Sequence, residues 1–270
     1  MEVLVHGFMQ RAFLAVFMAG LLCSTLSFFV VLNRLSFMGA GISHSILGGI
    51  AIGVLAGVNP LLAGGIFAVF VALLIGYISR FGKMQEDTLI GIFFATGMAL
   101  GVTLISFKEN YYPELFSYLF GNVLAISRQD LLILGTIMVP VLLFVIVFFK
   151  ELLAISFDEE LARANGLPTT FLYLGFLVCL SLTVVVSVMV LGVVLAAALL
   201  VIPAATGYGL TNNYRHMLLL AVVLGVVSGL AGLMGSYYFY IPSGAAIVLC
   251  ASLFFFASLL INYFAGLSKN

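Results

Sequence analysis

The chain has 270 residues, 64% of them apolar and only 7% charged, and its ten basic and ten acidic groups cancel. Soluble domains carry about 25% charged residues and disorder goes with low hydrophobicity and high charge, so a water-soluble domain and a disordered chain are both excluded. The zero balance also removes any electrostatic case for nucleic acid or for attraction to an anionic membrane surface. What remains is an all-α, polytopic membrane protein. A span needs about 20 apolar residues, and the apolar stock suffices for about eight or nine.

The N-terminus carries no basic segment after Met1-Glu2, and the first apolar run, 12–32, is too long for a cleavable signal. Further runs lie at 42–58, 61–79, 88–106, 131–149, 171–190, 191–208, 217–236 and 243–264. The stretch from Phe171 to Tyr208 has no charge. As one helix it would run about 55 Å, far beyond a hydrocarbon core of about 30 Å. It must be two spans with a tight turn near Leu191–Gly192, or a span plus a re-entrant segment. With nine spans, seven basic residues (Arg34, Arg80, Lys83, Lys150, Arg163, Arg215 and Lys269) share one side, and three (Arg11, Lys108 and Arg128) share the other. Merging 171–208 into one span gives five and five, so the positive-inside rule favours nine crossings, N-terminus out and C-terminus in.

Small residues recur every fourth position in three of these runs: Gly41, Ser45, Gly49, Gly53 and Gly57; Gly91, Ala95 and Ala99; Ala221, Gly225 and Gly229. Residues four apart share a helix face, and small faces let membrane helices approach closely. All three ladders are expected to pack helix against helix within a compact bundle. The most polar stretch, 150–168, holds a short helix: Asp158 as N-cap, Glu159 and Glu160 in the first turn, Arg163 toward the end, Gly166 at the C-cap and Pro168 beyond. It faces the cytoplasm and is either a connector or a docking element.

Ionisable groups within spans are costly and normally functional, and here they are nearly absent. No nucleophile–base pair or ligand cluster exists, so no catalytic residues and no enzyme are expected. The cysteines Cys23, Cys179 and Cys250 are scattered through apolar runs and read as small hydrophobes. GYISRFGKM (76–84) is not a phosphate loop, having five residues between its glycines and Met84 where Ser or Thr is needed. His44, beside Ser43 near the start of the second span, is either a packed histidine or a metal ligand.

Six segments in fixed order carry a resemblance: Asn33–Arg34 leading into GISHSILGG (41–49), EDTLIGIFFATGMALGV (86–102), LFGNVLAIS (119–127), FDEELARANGLP (157–168), VVLAAALLVIPAAT (193–206) and IPSGAAIVL (241–249). Over nearly its whole length the chain resembles the permease subunit of the bacterial zinc/manganese ABC importers. The resemblance implies one transmembrane permease domain over 1–270 in the bacterial inner membrane, with a cytoplasmic coupling segment at about 150–168. It implies partners as well: a second permease copy, cytosolic ABC ATPase subunits, an extracytoplasmic metal-binding protein and membrane lipid. No cofactor is implied on this chain; ATP would sit on the partner ATPase, and a divalent metal would be the cargo. Asp158, Glu159, Glu160, Arg163 and Gly166 would then serve ATPase coupling, while Lys108, Glu109 and Glu114 would contact the binding protein. The family's pathway motif, G-D-x-x-S-H, falls on 39–44, where Ser43 and His44 are kept and Ala40 replaces the acid. Tyr240 likewise stands where relatives often carry an acid. Both changes remove hard oxygen ligands, which manganese prefers. A chelated metal or another small solute on the same architecture, or an ATP-independent channel or carrier, are the alternatives.

Overall fold

A computed structural model describes residues 7–82, 84–107 and 125–264, all of it helix, turn or loop. The helices are α1 (Gly7–Leu32), α2 (Met38–Ala56), α3 (Pro60–Phe81), α4 (Glu86–Ile105), α5 (Arg128–Val147), α6 (Phe149–Phe157), α7 (Glu159–Ala164), α8 (Thr169–Leu191), α9 (Val193–Leu199), α10 (Ile202–Leu210), α11 (Tyr214–Phe239) and α12 (Ser243–Phe264). Among the described residues nine segments are long and apolar enough to cross a membrane, with Val193–Leu210 counted as one. Helix starts follow local chemistry. Asn59 accepts from the Leu61 and Leu62 amides ahead of Pro60, and Ser127 and Asp130 form a reciprocal capping box at α5.

The expected reversal lies at Gly192, whose φ of 87° is left-handed and suits glycine. The return leg is not one helix but two. It breaks at Leu200–Val201, just before Pro203 at the start of α10.

Long-range contacts fix which helix ends lie together. Arg11 Nε donates to the Ile126 carbonyl, just before α5, while Asn33 Nδ2 at the other end of α1 donates to Ser156 Oγ in α6. Arg80 meets Glu159. Gly225 lies on Gly20 and Ser24, and Gly229 on Val16, so α11 runs antiparallel to α1. Asn262 Nδ2, near the end of α12, reaches the Gly209 carbonyl before the α10–α11 turn. Arg34, Arg80, Lys150, Arg163, Arg215 and the end of α12 therefore share one side, and Arg11 and Arg128 the other. This grouping matches the nine-crossing arrangement, and by the positive-inside rule the former side would be cytoplasmic. Lys83, Lys108 and Lys269 lie outside the described residues.

Two of the three ladders pack as expected, except that Gly57, the last rung of the first, is an exposed left-handed residue just past the end of α2 with nothing within 4 Å of its Cβ. On α2, a Cβ at Gly41 would meet Ile90, and Cβ atoms at Gly49 and Gly53 would meet the start of α3. On α11, Ala221 is buried and Gly225 and Gly229 face α1. The second ladder departs from expectation. Gly91, Ala95 and Ala99 are exposed, and a Cβ at Gly91 meets nothing within 4 Å. Helix α4 turns a different pair inward, Gly97 onto Ser45 and Gly101 onto Leu47. The hydrophobic core centres on α1, where Phe28 and Phe29 cluster with Phe149 of α6 and Phe176 of α8 at ring separations of 4.9–6.1 Å.

Candidate functional site

The short helix α7 forms as its caps dictate. Asp158 Oδ1 accepts from the Leu161 amide at 2.9 Å. At the far end the Leu167 amide bonds the Ala162 carbonyl and the Gly166 amide bonds that of Arg163. This pair is the Schellman arrangement, and it needs the left-handed φ of 81° at Gly166.

So capped, α7 has two unlike faces. Inward, Ala162 is buried, and Glu159 Oε1 lies 2.6 Å from Arg80 Nη1 and 2.8 Å from Arg163 Nη2. Outward, Leu161 is 60% exposed and Phe157, at the end of α6, is 69% exposed, while Glu160 is exposed along the cleft that the inward face lines. Of the acids expected to serve a partner, Glu159 is thus engaged within the chain, whereas Glu160 is open.

The inward face belongs to a cleft of about 760 Å³ at the junction of α3, α4, α7 and α8. Arg80, in the last turn of α3, has its guanidinium carbon 4.2 Å above the centre of the Tyr173 ring, and Nη1 donates to Thr170 Oγ1 at 3.3 Å. The Tyr173 hydroxyl donates to Glu86 Oε1 at the start of α4, and Ser79 Oγ reaches the same oxygen at 3.3 Å. Sequence reasoning missed Arg80, Glu86 and Tyr173 as a group. The available signal was a guanidinium and a carboxylate six residues apart, flanking the turn between two apolar runs.

The other candidate is His44. It sits half-buried on α2, with its ring edge-on to Phe94 of α4 at 4.5 Å. Its Nδ1 is buried, and among the described residues nothing hydrogen-bonds it. Ala40 lies one turn before it, also half-buried. Ser43 is not brought beside the imidazole. It is fully buried, and its hydroxyl donates to the Gly39 carbonyl at 2.7 Å, on the packed face of the helix. Among the described residues no three His, Cys, Asp or Glu side chains converge. A single imidazole with one free nitrogen can only touch a soft or borderline cation in passing.

Tyr240 stands at the outer turn between α11 and α12, with a φ of 55° and 95% exposure. Ser236 Oγ bonds the Ile241 carbonyl beneath it. Lys108, Glu109 and Glu114 lie outside the described residues.

The profile of the ABC 3 transport family matches residues 5–262. The chain is 38% identical over 254 residues to the manganese transport system membrane protein MntC of Halalkalibacterium halodurans, covering 94% of this chain and 87% of the relative. It is 36% identical to a Haemophilus influenzae membrane protein named for iron transport, covering 96% of this chain and 95% of that one. Among solved structures, PsaBC from Streptococcus pneumoniae in complex with Fab superposes with a TM-score of 0.84 at 34% identity. That match covers 95% of this chain and 93% of the other.

Proposed function

The chain belongs to the ABC 3 transport family and is a multi-pass permease of the bacterial cell membrane, and on that premise we propose that it is the transmembrane subunit of an ATP-driven importer of a divalent transition metal. The observation that carries the reading is the two-faced helix α7. Phe157, at the end of α6, and Leu161 of α7 offer an apolar contact at the cytoplasmic surface, on a short helix capped at both ends. An exposed aromatic and aliphatic pair of this kind suits a cleft on a cytosolic ATPase, where burying it removes apolar surface from water. A second permease copy would complete the path, with a binding protein on the outer side.

In this reading the cargo passes His44, whose unpaired Nδ1 offers one weak ligand per subunit. Weak holding suits a conduit, which must release what it binds. Relatives named for manganese favour that ion. The loss of an acid at Ala40 favours a borderline ion such as zinc or iron, which imidazole holds well.

The test is uptake by the permease reconstituted with its ATPase and binding protein, with manganese, zinc and iron in competition. ATP-dependent accumulation that falls on His44→Ala supports the reading. Accumulation without ATP, or an unchanged rate in the variant, overturns the corresponding half of it.

A further inference from the structure

We propose that Arg80 is a positioning residue that locks the coupling helix α7 to the α3–α4 hairpin, so that a displacement of α7 is delivered to α3 and α4 and not to α8 alone. The inference rests on the reading of α7 as the place where an ATPase acts.

The geometry is a chain of polar contacts through four elements. Glu159 of α7 pairs with Arg80 of α3; Arg80 stacks on Tyr173 of α8; Tyr173 donates to Glu86 of α4. The Arg80 side chain is only 10% exposed, and its Nε has no partner among the described residues. A guanidinium this deeply placed depends on its remaining contacts. Arg80 is the buried partner and Glu159, 36% exposed, the accessible one, so separating them strands a buried guanidinium without its counter-charge. Drawing Glu159 away while Arg80 stays behind is therefore opposed. If α7 shifts, the end of α3 moves with it.

Close packing carries the displacement beyond α3. A Cβ at Gly76 would meet Leu174 and Leu177 of α8, and Gly97 and Gly101 of α4 lie directly on α2. Ser45 Oγ of α2 also donates to the Phe93 carbonyl of α4 at 3.1 Å. Phe94, the ring against His44, is the next residue and lies two turns along α4 from Glu86. The polar chain thus starts at the cytoplasmic surface and ends on α4, the helix whose Phe94 ring packs against the candidate pathway residue on α2. Position alone does not establish coupling, so the test must read coupling itself.

The measurement is metal imported per ATP hydrolysed, in proteoliposomes holding the complete complex of permease, ATPase and binding protein. With Arg80→Gln, whose site leaves Phe157 and Leu161 untouched, the ATPase should stay bound and hydrolyse ATP while the ratio falls about tenfold, the scale of a coupling between two sites. The charge swap Arg80→Glu with Glu159→Arg should recover most of that loss, which a merely structural role would not. Should Arg80→Gln fail to assemble, Tyr173→Phe keeps the ring beneath Arg80 but removes the hydroxyl's links to Glu86 and Ser79, and should lower the ratio by itself. An unchanged ratio in the variants that assemble, or hydrolysis and uptake falling in proportion with no rescue by the swap, overturns the proposal. Absence of ATP-dependent uptake in the unaltered complex would instead overturn the functional reading beneath it.

Discussion

Replacing Gly49 with alanine should loosen the bundle, while the same change at Gly91 should not. A Cβ on Gly49 would stand 2.5 Å from Phe67 Cβ, 2.8 Å from Gly64 Cα and 2.9 Å from the Ala63 carbonyl oxygen. Two of these atoms are backbone and the third is bonded to it, so no rotamer change relieves them. Restoring ordinary contact near 3.5–4.0 Å requires α2 and α3 to separate by about 1 Å. Overpacking of this kind costs about 1–3 kcal/mol, offset by about 1 kcal/mol from exchanging glycine for a better helix former. The net loss is up to about 2 kcal/mol, and a chain of this size moves by about 2–4 °C per kcal/mol. At Gly91 nothing lies within 4 Å, so only the helix-propensity gain operates and the midpoint should hold or rise. Cys23 and Cys179 are buried, which makes a thiol-reactive fluorophore a suitable reporter of thermal unfolding for the detergent-solubilised subunit. Equal shifts in the two variants, or a fall at Gly91 alone, would refute the assignment of packed and open helix faces.

Asp158→Ala should remove the α7 cap, worth about 1 kcal/mol, and raise amide hydrogen exchange over 159–164, whereas Asp158→Asn should largely preserve protection. Gly166→Ala forces a side chain into a left-handed backbone at a penalty of about 1–2 kcal/mol and should weaken co-purification with the ATPase more than Gly166→Asn does. Leu161→Asp leaves the hydrogen bonds and ion pairs of α7 intact, so it should abolish ATPase binding with little change in the unfolding midpoint; retained binding would remove α7 from the docking surface. Single cysteines at Phe157 and Tyr240 should be labelled by an impermeant reagent from opposite faces of the membrane, and labelling from the same face would overturn the topology.

The spans were legible because hydropathy alone demands them, but their ends were not. The first helix extends five residues beyond its apolar run, back to Gly7, because Arg11 is held by the Ile126 carbonyl from a distant loop. Helix α5 begins at Arg128, ahead of its apolar run, because Ser127 and Asp130 cap each other's amides across a charged turn. The α7 helix was readable to the residue, since its signals are local: a capping aspartate, a left-handed glycine and a proline just beyond. The glycine ladders were readable as spacing but not as direction. The period of Gly91, Ala95 and Ala99 equals that of Gly41, Ser45 and Gly49, and only the neighbours reveal that one faces outward. Arg80 was hidden for the same reason. In sequence it is one of several basic residues at span ends; what distinguishes it is Glu159, seventy-nine positions away, and the Tyr173 ring beneath it.

These contacts divide the bundle into two rigid groups. Helices α2, α3 and α4 meet through glycines whose Cβ atoms would strike a neighbouring backbone, at Gly49, Gly97 and Gly101. Helices α11 and α12 meet in the same manner at Gly232, α10 meets the first turn of α11 so at Gly207, and Gly20 of α1 lies in ordinary contact with the α11 backbone at Gly225 and Val226. Interfaces packed this closely shift as units and do not deform continuously. Helix α8 touches both groups: Leu177 and Val185 lie against Gly76 and Gly65 of α3, while Ser187 lies 3.1 Å from Cys23 of α1 and Phe176 packs edge-on against Phe29. Movement that changes access to His44 is therefore expected along α8, where the groups adjoin, and α8 begins at Thr169, in the loop that ends α7. The first group carries Arg80 and Glu86 at its cytoplasmic end and His44 on its half-buried face, so a displacement applied at Glu159 reaches, through α3 and α4, the group that bears the imidazole.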